Sequence, residues 1–258
     1  MKILALDFDG VLIDSLREVF LNAVNTYQSI SGNMFFSEEE LSFDAFEKYP
    51  GLEKYFDEYR RLYCFGQGGH FHYVIMHAIV LGEKVENEED IDEVMAKCDK
   101  GELEKAGKLF YELREELRSS DTEKWMNLHT VFKEITDKLV DLPADIKPVV
   151  ATAKDKKSVE LLLEHFGIRQ MKILGKEYGL NKKVHIEKLM QEYKLFSKDI
   201  CFVDDRLPVV LKAKETGVKC FMATWGSNNA KQRSVAVAEG VELLDLDEFL
   251  DKICKVLY

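Results

Sequence analysis

The sequence has 258 residues, of which 46% are hydrophobic and 32% charged, so the chain can bury a sizeable core and a disordered chain is excluded. Its 36 basic and 47 acidic side chains give a net charge of −11, which disfavours nonspecific binding to nucleic acid or to an anionic membrane. The five cysteines form no CxxC pair and no apolar stretch is long enough to cross a membrane, so we expect reduced thiols in a cytoplasmic protein.

The first element is a short apolar run at residues 3–6 that leads directly into Asp7, Asp9 and Gly10. A continuous apolar run of this length, ended by acidic residues and a glycine, is typical of a buried strand in a parallel sheet. Open α/β sheets bind ligands beyond the carboxyl ends of such strands. We therefore expect Asp7 and Asp9 to lie where the chemistry takes place.

A long helical region follows this strand. Ser15 and Glu18 have the spacing of a capping box, in which the two side chains accept hydrogen bonds from free backbone N–H groups, so a helix is predicted to begin there. Apolar residues then recur with helical spacing as far as Leu139, and the glycines of residues 66–70 predict a flexible loop between two helices. Residues 16–141 are therefore predicted to form an inserted, all-helical domain.

The pattern changes after Pro143, where short apolar runs alternate with helical segments as they do in βαβ units. The predicted strands are residues 148–152, 171–174, 200–204, 219–223 and 241–244. Together with the first strand they predict an α/β fold with a Rossmann-like parallel sheet. This core domain comprises residues 1–15 and 142–258, and the helical insert divides it.

Four spaced signals in the core resemble the motifs of the haloacid dehalogenase (HAD) superfamily of aspartate-nucleophile phosphohydrolases. The most specific is the run DFDGVLIDS at residues 7–15, which resembles the family's DxDGxxxDS element. The other three are Thr152 at the end of a strand, a lysine of the pair Lys182-Lys183 at the start of a helix, and the strand-terminal pair Asp204-Asp205. The insert lies where the family places its C1-type helical cap, and Trp225-Gly226 resembles the same pair in phosphoglycolate phosphatase-like members.

The resemblance implies a role for each catalytic residue. Asp7 corresponds to the nucleophile that forms an aspartyl-phosphate, and Asp9 to the acid/base that protonates the leaving group and then activates water. Thr152 and the lysine correspond to the groups that bind the phosphoryl oxygens. The reaction is thus expected to depend on four side chains from three separate parts of the core.

The resemblance also implies a metal ion. Several carboxylates that face a phosphate dianion require a hard cation, and Mg²⁺ prefers oxygen ligands. Asp7, the backbone carbonyl of Asp9 and Asp205 look like the ligand set. Asp204 is a further candidate, because Asp204-Asp205 resembles the family's two-aspartate version of this motif; it either binds the ion or orients the other ligands.

Only one of the two adjacent lysines can face the site. The family's lysine precedes the apolar face of its helix, and the residues four and seven positions after Lys182, Ile186 and Leu189, are both apolar. The residue four positions after Lys183 is Glu187. This pattern favours Lys182.

These features together predict a Mg²⁺-dependent phosphatase that hydrolyses a small phosphorylated metabolite. Asp9 argues against dehalogenation, since a halide ion leaves without a proton. A sugar-phosphate mutase of the same family and a non-catalytic module that binds a phosphorylated ligand stay open as alternatives. Substrate identity and oligomeric state are left open, because neither follows from the spacing of the motifs.

Overall fold

A computed structural model of the chain describes residues 1–36 and 39–258. The chain divides into a sheet unit, Met1–Asp14 with Thr130–Tyr258, and a helical unit, Ser15–His129. Ser37 and Glu38, which belong to the predicted insert, lie outside the described residues. Among the helices of the described chain, none combines the length and apolar character needed to span a membrane.

The strands form a six-stranded parallel sheet and a small antiparallel ribbon. They are β1 (Lys2–Leu6), β2 (Ile13–Asp14), β3 (Thr130–Val131), β4 (Ile146–Ala151), β5 (Lys172–Leu174), β6 (Ile200–Asp204), β7 (Lys219–Ala223) and β8 (Glu242–Leu244). The order in the large sheet is β5-β4-β1-β6-β7-β8, so β1 lies in the interior of the sheet. Because all its strands are parallel, their carboxyl ends meet at one edge.

The helices separate by unit. They are α1 (Leu16–Ser31), α2 (Ala45–Lys48), α3 (Leu52–Leu62), α4 (Gly69–Leu81), α5 (Glu88–Lys97), α6 (Lys100–Ser120), α7 (Thr122–Met126), α8 (Lys133–Lys138), α9 (Lys156–His165), α10 (Lys182–Tyr193), α11 (Leu207–Lys214), α12 (Ala230–Ala238) and α13 (Phe249–Leu257). The first seven belong to the helical unit and the last six to the sheet unit. The predicted fold class, a parallel α/β core with an inserted helical domain, is confirmed.

The core of the sheet unit follows from the apolar character of its central strand. Residues 3–6 are fully buried, as a strand covered on both faces requires. Leu6 lies beside Val150 of β4 and beside Val203 of β6. The residues that follow these three positions therefore emerge together at the carboxyl edge of the sheet.

The helical unit has a separate, strongly aromatic core. Along α3 the buried residues are Leu52, Phe56, Tyr59 and Leu62, a spacing that puts them on one helical face. Phe20 of α1 packs against the rings of Phe56 and Tyr59, with centroid distances of 5.4 and 5.2 Å. Aromatic pairs at these distances contribute favourable ring contacts in addition to the burial of apolar area.

The helical unit ends at His129, whereas the predicted insert extends to residue 141. The difference arises from the ribbon, in which Ile13 pairs with Val131 and Asp14 with Thr130. The Phe132 N–H also donates to the Leu12 carbonyl at 3.0 Å. These backbone bonds place residues 130–141 with the sheet unit.

The predicted capping box at the start of α1 is wrong, although the helix begins where it was expected. The Ser15 side chain makes no cap hydrogen bond. The Glu18 carboxylate instead accepts hydrogen bonds from Arg114 and Asn22 in the interior of the helical unit. A bidentate guanidinium pair is stronger than a bond to a neutral backbone N–H, which explains the preference.

The predicted loop at residues 66–70 is shorter than expected, because α4 already begins at Gly69. Gly66 is required at this connection, since a Cβ there would lie 2.1 Å from the ring of Phe71. Gly68 has a φ of +93°, in the region that favours glycine. The connection is therefore a short, packed turn.

Candidate functional site

Three neighbouring strands end in polar residues at the carboxyl edge of the sheet. Asp7 directly follows β1, Thr152 directly follows β4, and Asp204 is the last residue of β6. The Asp7 N–H continues the ladder by donating to the Val203 carbonyl at 2.9 Å. The register of the sheet thus collects side chains that are far apart in the sequence.

Lys182 reaches Asp7 from the first turn of α10. Its Nζ lies 2.5 Å from Asp7 Oδ1 and 2.7 Å from the Ala151 carbonyl oxygen, and its side chain is only 5% exposed. Lys183 points elsewhere, since its Nζ lies 3.2 Å from Glu215 Oε2. The structure therefore brings Lys182, and not Lys183, next to the predicted nucleophile.

The acidic residues form a compact cluster. Asp7, Asp204 and Asp205 each offer an oxygen atom, and these atoms lie within 4.8 Å of one another. Asp204 Oδ2 and Asp205 Oδ1 are buried without a hydrogen-bond donor, and Lys182 Nζ lies 4.0 Å from Asp204 Oδ2. Buried carboxylate oxygens normally have a donor or a cation as partner. Three converging carboxylates with two such oxygens fit a hard divalent cation.

The protonation behaviour of the cluster supports this interpretation. Burial raises the pKa of Asp204 well above its ordinary value, and the negative charge of Asp7 adds to the effect. Burial likewise raises the pKa of Asp205 to about 7, although the nearby Arg206 opposes the shift. The protein therefore compensates the negative charge of this cluster only in part. A bound cation would stabilise the ionised carboxylates.

The loop after β7 holds Asp205 in place. The Ser227 N–H donates to Asp205 Oδ2 at 2.6 Å, so Oδ1 is the oxygen that has no donor. A Cβ at Gly10 would lie 2.1 Å from Asp205 Oδ2, and one at Gly226 would lie 2.3 Å from Asp205 Cβ. Only glycine allows both segments to approach this closely. Trp225, which precedes Gly226, donates a hydrogen bond from its Nε1 to the carbonyl oxygen of Val11, in the loop that follows β1.

The loop that carries Asp9 turns tightly after β1. Gly10 has a φ of +84°, and its N–H donates to the Ile13 carbonyl at 2.8 Å. The Leu12 N–H donates back to the Phe8 carbonyl at 2.9 Å. These bonds give the acidic loop a defined backbone and hold Asp9 at the edge of the sheet.

Asp9 and Thr152 are linked by Lys154, which lies outside the predicted site residues. The Lys154 N–H donates to Thr152 Oγ1 at 3.1 Å, and the Lys154 Nζ donates to Asp9 Oδ1 at 3.0 Å. Residues 153 and 154 form a bend after β4, and the bond from the Lys154 N–H to Thr152 Oγ1 is of the kind that threonine side chains make with the backbone two positions on. A basic residue two positions after a predicted site threonine is the sequence signal that points to Lys154.

All the predicted site residues therefore lie at one edge of the sheet. Asp7, Lys182, Asp204 and Asp205 form one group around the acidic cluster, and Asp9 and Thr152 form a second group around Lys154. Ser227 was not predicted, and Gly10 and Gly226 were identified only as parts of the motifs at residues 7–15 and 225–226, because their contacts with Asp205 depend on how distant loops pack. His185, one turn after Lys182, is buried, and its Nε2 lies 2.8 Å from the Gly179 carbonyl oxygen.

A comparison with protein-family models finds no match to the sequence, and a search of curated proteins finds none either. Solved structures do match. They include a predicted phosphatase from Clostridium acetobutylicum (16% identity, TM-score 0.60), a haloacid dehalogenase-like family hydrolase from Streptococcus pneumoniae (15%, 0.64) and a predicted phosphoglycolate phosphatase from Haemophilus somnus (16%, 0.62). Each alignment covers 98% of this chain and 98% of the other chain. The similarity extends over both units and shows that the chain has the HAD-like fold.

Proposed function

We propose that the protein is a Mg²⁺-dependent phosphatase that hydrolyses a small phosphate monoester through an aspartyl-phosphate on Asp7. The observation that carries the proposal is the cluster of Asp7, Asp204 and Asp205, in which two buried oxygens have no donor and Lys182 contacts the nucleophile. The HAD-like fold supports it, since solved proteins with this fold are described as phosphatases.

The ion would be held by Asp7, Asp205 and the backbone carbonyl of Asp9, with Asp204 as a further ligand or an orienting group. When bound, Mg²⁺ would neutralise the charge that the carboxylates share with the phosphate and would polarise a phosphoryl oxygen. The protein supplies the remaining positive charge through Lys182, which donates to Asp7 and to a backbone carbonyl. An ammonium group has three N–H bonds, so one is left for a phosphoryl oxygen.

In the first half-reaction a carboxylate oxygen of Asp7 attacks phosphorus, and the bond from phosphorus to the ester oxygen breaks. Asp9 gives its proton to the departing alkoxide. Thr152 Oγ1 accepts from the Lys154 N–H, which leaves its own hydrogen to donate to a phosphoryl oxygen. In the second half-reaction Asp9 takes a proton from water, the water oxygen attacks phosphorus, and phosphate leaves as Asp7 is regenerated.

The test is phosphate release from a panel of phosphate monoesters, measured with Mg²⁺ and with a chelator. We expect release with Mg²⁺ only, and an acid-quenched sample should carry one phosphoryl group on the peptide that contains Asp7. Asp7→Asn should abolish both signals. Asp137→Asn is the matched control, because Asp137 lies in an exposed ion pair with Lys133.

The same panel separates the alternatives. A protein that releases no phosphate from any ester with Mg²⁺ present would contradict the proposal and favour a binding module. Conversion of one sugar phosphate into an isomer without free phosphate would indicate a mutase. Release that is equal with and without the chelator would contradict the metal requirement.

A further inference from the structure

We propose that Lys154 is a positioning residue that holds the carboxyl group of Asp9 in the orientation needed for proton transfer to the leaving group. The inference rests on the proposed function, because it assigns a partner to the acid/base of that reaction. It concerns a side chain outside the four spaced motifs.

The first observation is the difference in exposure between the two partners. The Lys154 side chain is 0% exposed, whereas the Asp9 side chain is 25% exposed, and their charged atoms are 3.0 Å apart. Asp9 is the more accessible partner, and it is the residue assigned to the leaving oxygen. We therefore place the effect of Lys154 on the reaction in its contact with Asp9.

The second observation is that Lys154 is anchored at both of its ends. Its backbone N–H is bound to Thr152 Oγ1, and its Nζ spans to a carboxylate that lies 145 positions away in the sequence. Thr152 is the residue assigned to the phosphoryl oxygens, and Asp9 is the residue assigned to the leaving oxygen. Lys154 thus fixes the distance between Thr152, which binds the phosphoryl group, and Asp9, which protonates the leaving oxygen.

The third observation is the cost of the arrangement. Burial of a lysine is unfavourable unless its charge is paired, and the long side chain also loses rotamer freedom. A donor on one carboxylate oxygen restricts rotation of the carboxyl group, and proton transfer depends strongly on such orientation. The site contains two pairs of this kind, Lys182 with the nucleophile Asp7 and Lys154 with the acid/base Asp9.

The test compares two substrates that differ in their need for a proton. An alkyl phosphate releases a basic alkoxide, whereas p-nitrophenyl phosphate releases a stable phenolate that leaves without protonation. We expect Lys154→Met to reduce kcat/KM for the alkyl ester at least about tenfold more than for the p-nitrophenyl ester. The ratio kcat/KM is the correct measure, because it includes the step in which the ester bond breaks. A residue that only stabilises the fold would lower both values equally.

Two controls accompany this measurement. Lys156→Met changes an exposed lysine two positions away, paired with Glu160, and should leave both substrates unaffected. In an Asp9→Asn background, Lys154→Met should cause no further selective loss on the alkyl ester, because the group through which it acts has been removed.

Equal losses on the two esters, or the same selective loss in the Asp9→Asn background, would overturn the inference. If Lys154→Met does not yield folded protein, Lys154→Leu replaces it, since leucine also fills apolar space and donates no hydrogen bond to Asp9. A selective loss then supports the inference and equal losses overturn it. A wild-type protein that cleaves neither ester contradicts the proposed function itself, which distinguishes that failure from failure of the role of Lys154.

Discussion

Both units bury carboxylates, but they treat them differently. In the helical unit Glu18 is fully buried, and its two oxygens accept hydrogen bonds from Arg114 Nε at 2.8 Å, Arg114 Nη2 at 2.5 Å and Asn22 Nδ2 at 2.7 Å. In the sheet unit Asp204 and Asp205 are also buried, yet each keeps one oxygen without a donor.

The contrast shows how to separate a structural acid from a functional one. A buried carboxylate whose partners come from the protein completes the packing of its unit. A buried carboxylate that lacks a donor raises the free energy of the folded protein until a ligand supplies the missing partner. Glu18 belongs to the first class, and we propose that Asp204 and Asp205 belong to the second.

Among the changes that compare the two kinds of buried acid, the largest expected effect is the loss of activity in Asp205→Asn. The substitution removes a negative charge from the predicted metal ligands while keeping the shape of the side chain. We expect phosphate release at a fixed Mg²⁺ concentration to fall about 10²- to 10³-fold, the range found when one electrostatic group is removed from an active site. Activity measured over a series of Mg²⁺ concentrations checks this, with Asp137→Asn as the control. Activity within twofold of the wild type would place Asp205 in the structural class with Glu18.

The second prediction concerns the free energy of unfolding, for which the substitution of Glu18 should have a larger effect than the substitution of Asp205. Glu18→Gln leaves the Arg114 guanidinium without its carboxylate, and loss of one partner of a buried pair costs about 3 kcal/mol. Urea unfolding of the two variants with a chelator present should show a lower free energy of unfolding for Glu18→Gln and no decrease for Asp205→Asn. If both variants lose stability equally, the distinction between the two classes of buried acid is wrong.

The sequence was sufficient for the sheet wherever a strand is apolar throughout. The predicted ranges 200–204 and 219–223 coincide with β6 and β7. The predicted range of β4 begins at Pro148, whereas the strand begins at Ile146. A proline is tolerated there because β5 pairs with β4 only from Val149 onwards, so Pro148 has no neighbour on that side.

The site was predictable only where its residues follow strands or begin helices within short motifs. Asp7, Thr152 and Lys182 are of this kind. The positions of Lys154 and Ser227 relative to the site depend on loops that meet only in the folded chain. The capping box failed for the same reason, since Glu18 is bound by Arg114, 96 positions away. A local sequence pattern cannot show that a residue distant in the sequence will bind the same side chain.

A third prediction uses a matched pair of glycines. Gly10 and Gly32 both have positive φ, +84° and +66°, but a Cβ at Gly10 would lie 2.1 Å from Asp205 Oδ2, whereas one at Gly32 would meet nothing within 4 Å. Alanine at either position should cost about 1 kcal/mol or somewhat more from backbone strain. Only Gly10→Ala should also displace Asp205, so that about tenfold more Mg²⁺ is needed for half-maximal activity.

Urea unfolding measures the backbone strain in Gly10→Ala and Gly32→Ala, and Mg²⁺ titrations of phosphate release measure the displacement of Asp205. An equal Mg²⁺ requirement in both alanine variants would mean that the close approach of Gly10 does not fix the position of Asp205. A shift confined to Gly10→Ala would locate the requirement for glycine at the acidic cluster.

The smallest expected effect is a pH dependence of stability in the presence of a chelator. The pKa of Asp205 is about 7 in the folded protein against an ordinary value of 3.8, so between these values the folded state binds more protons than the unfolded state. Its contribution to stability is therefore present below the ordinary value and is lost as the pH rises through about 7. Asp205→Asn removes this loss, so its Tm relative to the wild type should rise between about pH 5 and about pH 8.

The difference in Tm between Asp205→Asn and the wild type is the correct measure, because other groups titrate over the same pH range. Burial lowers the pKa of His185 to about 4, which makes the protein less stable as the pH falls, but this contribution is present in both proteins and cancels. Asp137→Asn should show no such trend. Added Mg²⁺ at about pH 8 should stabilise the wild type more than Asp205→Asn, because a ligand stabilises the state that binds it more tightly. A difference in Tm that stays constant with pH would mean that Asp205 is ionised without strain, and the cluster would then resemble the satisfied pair at Glu18.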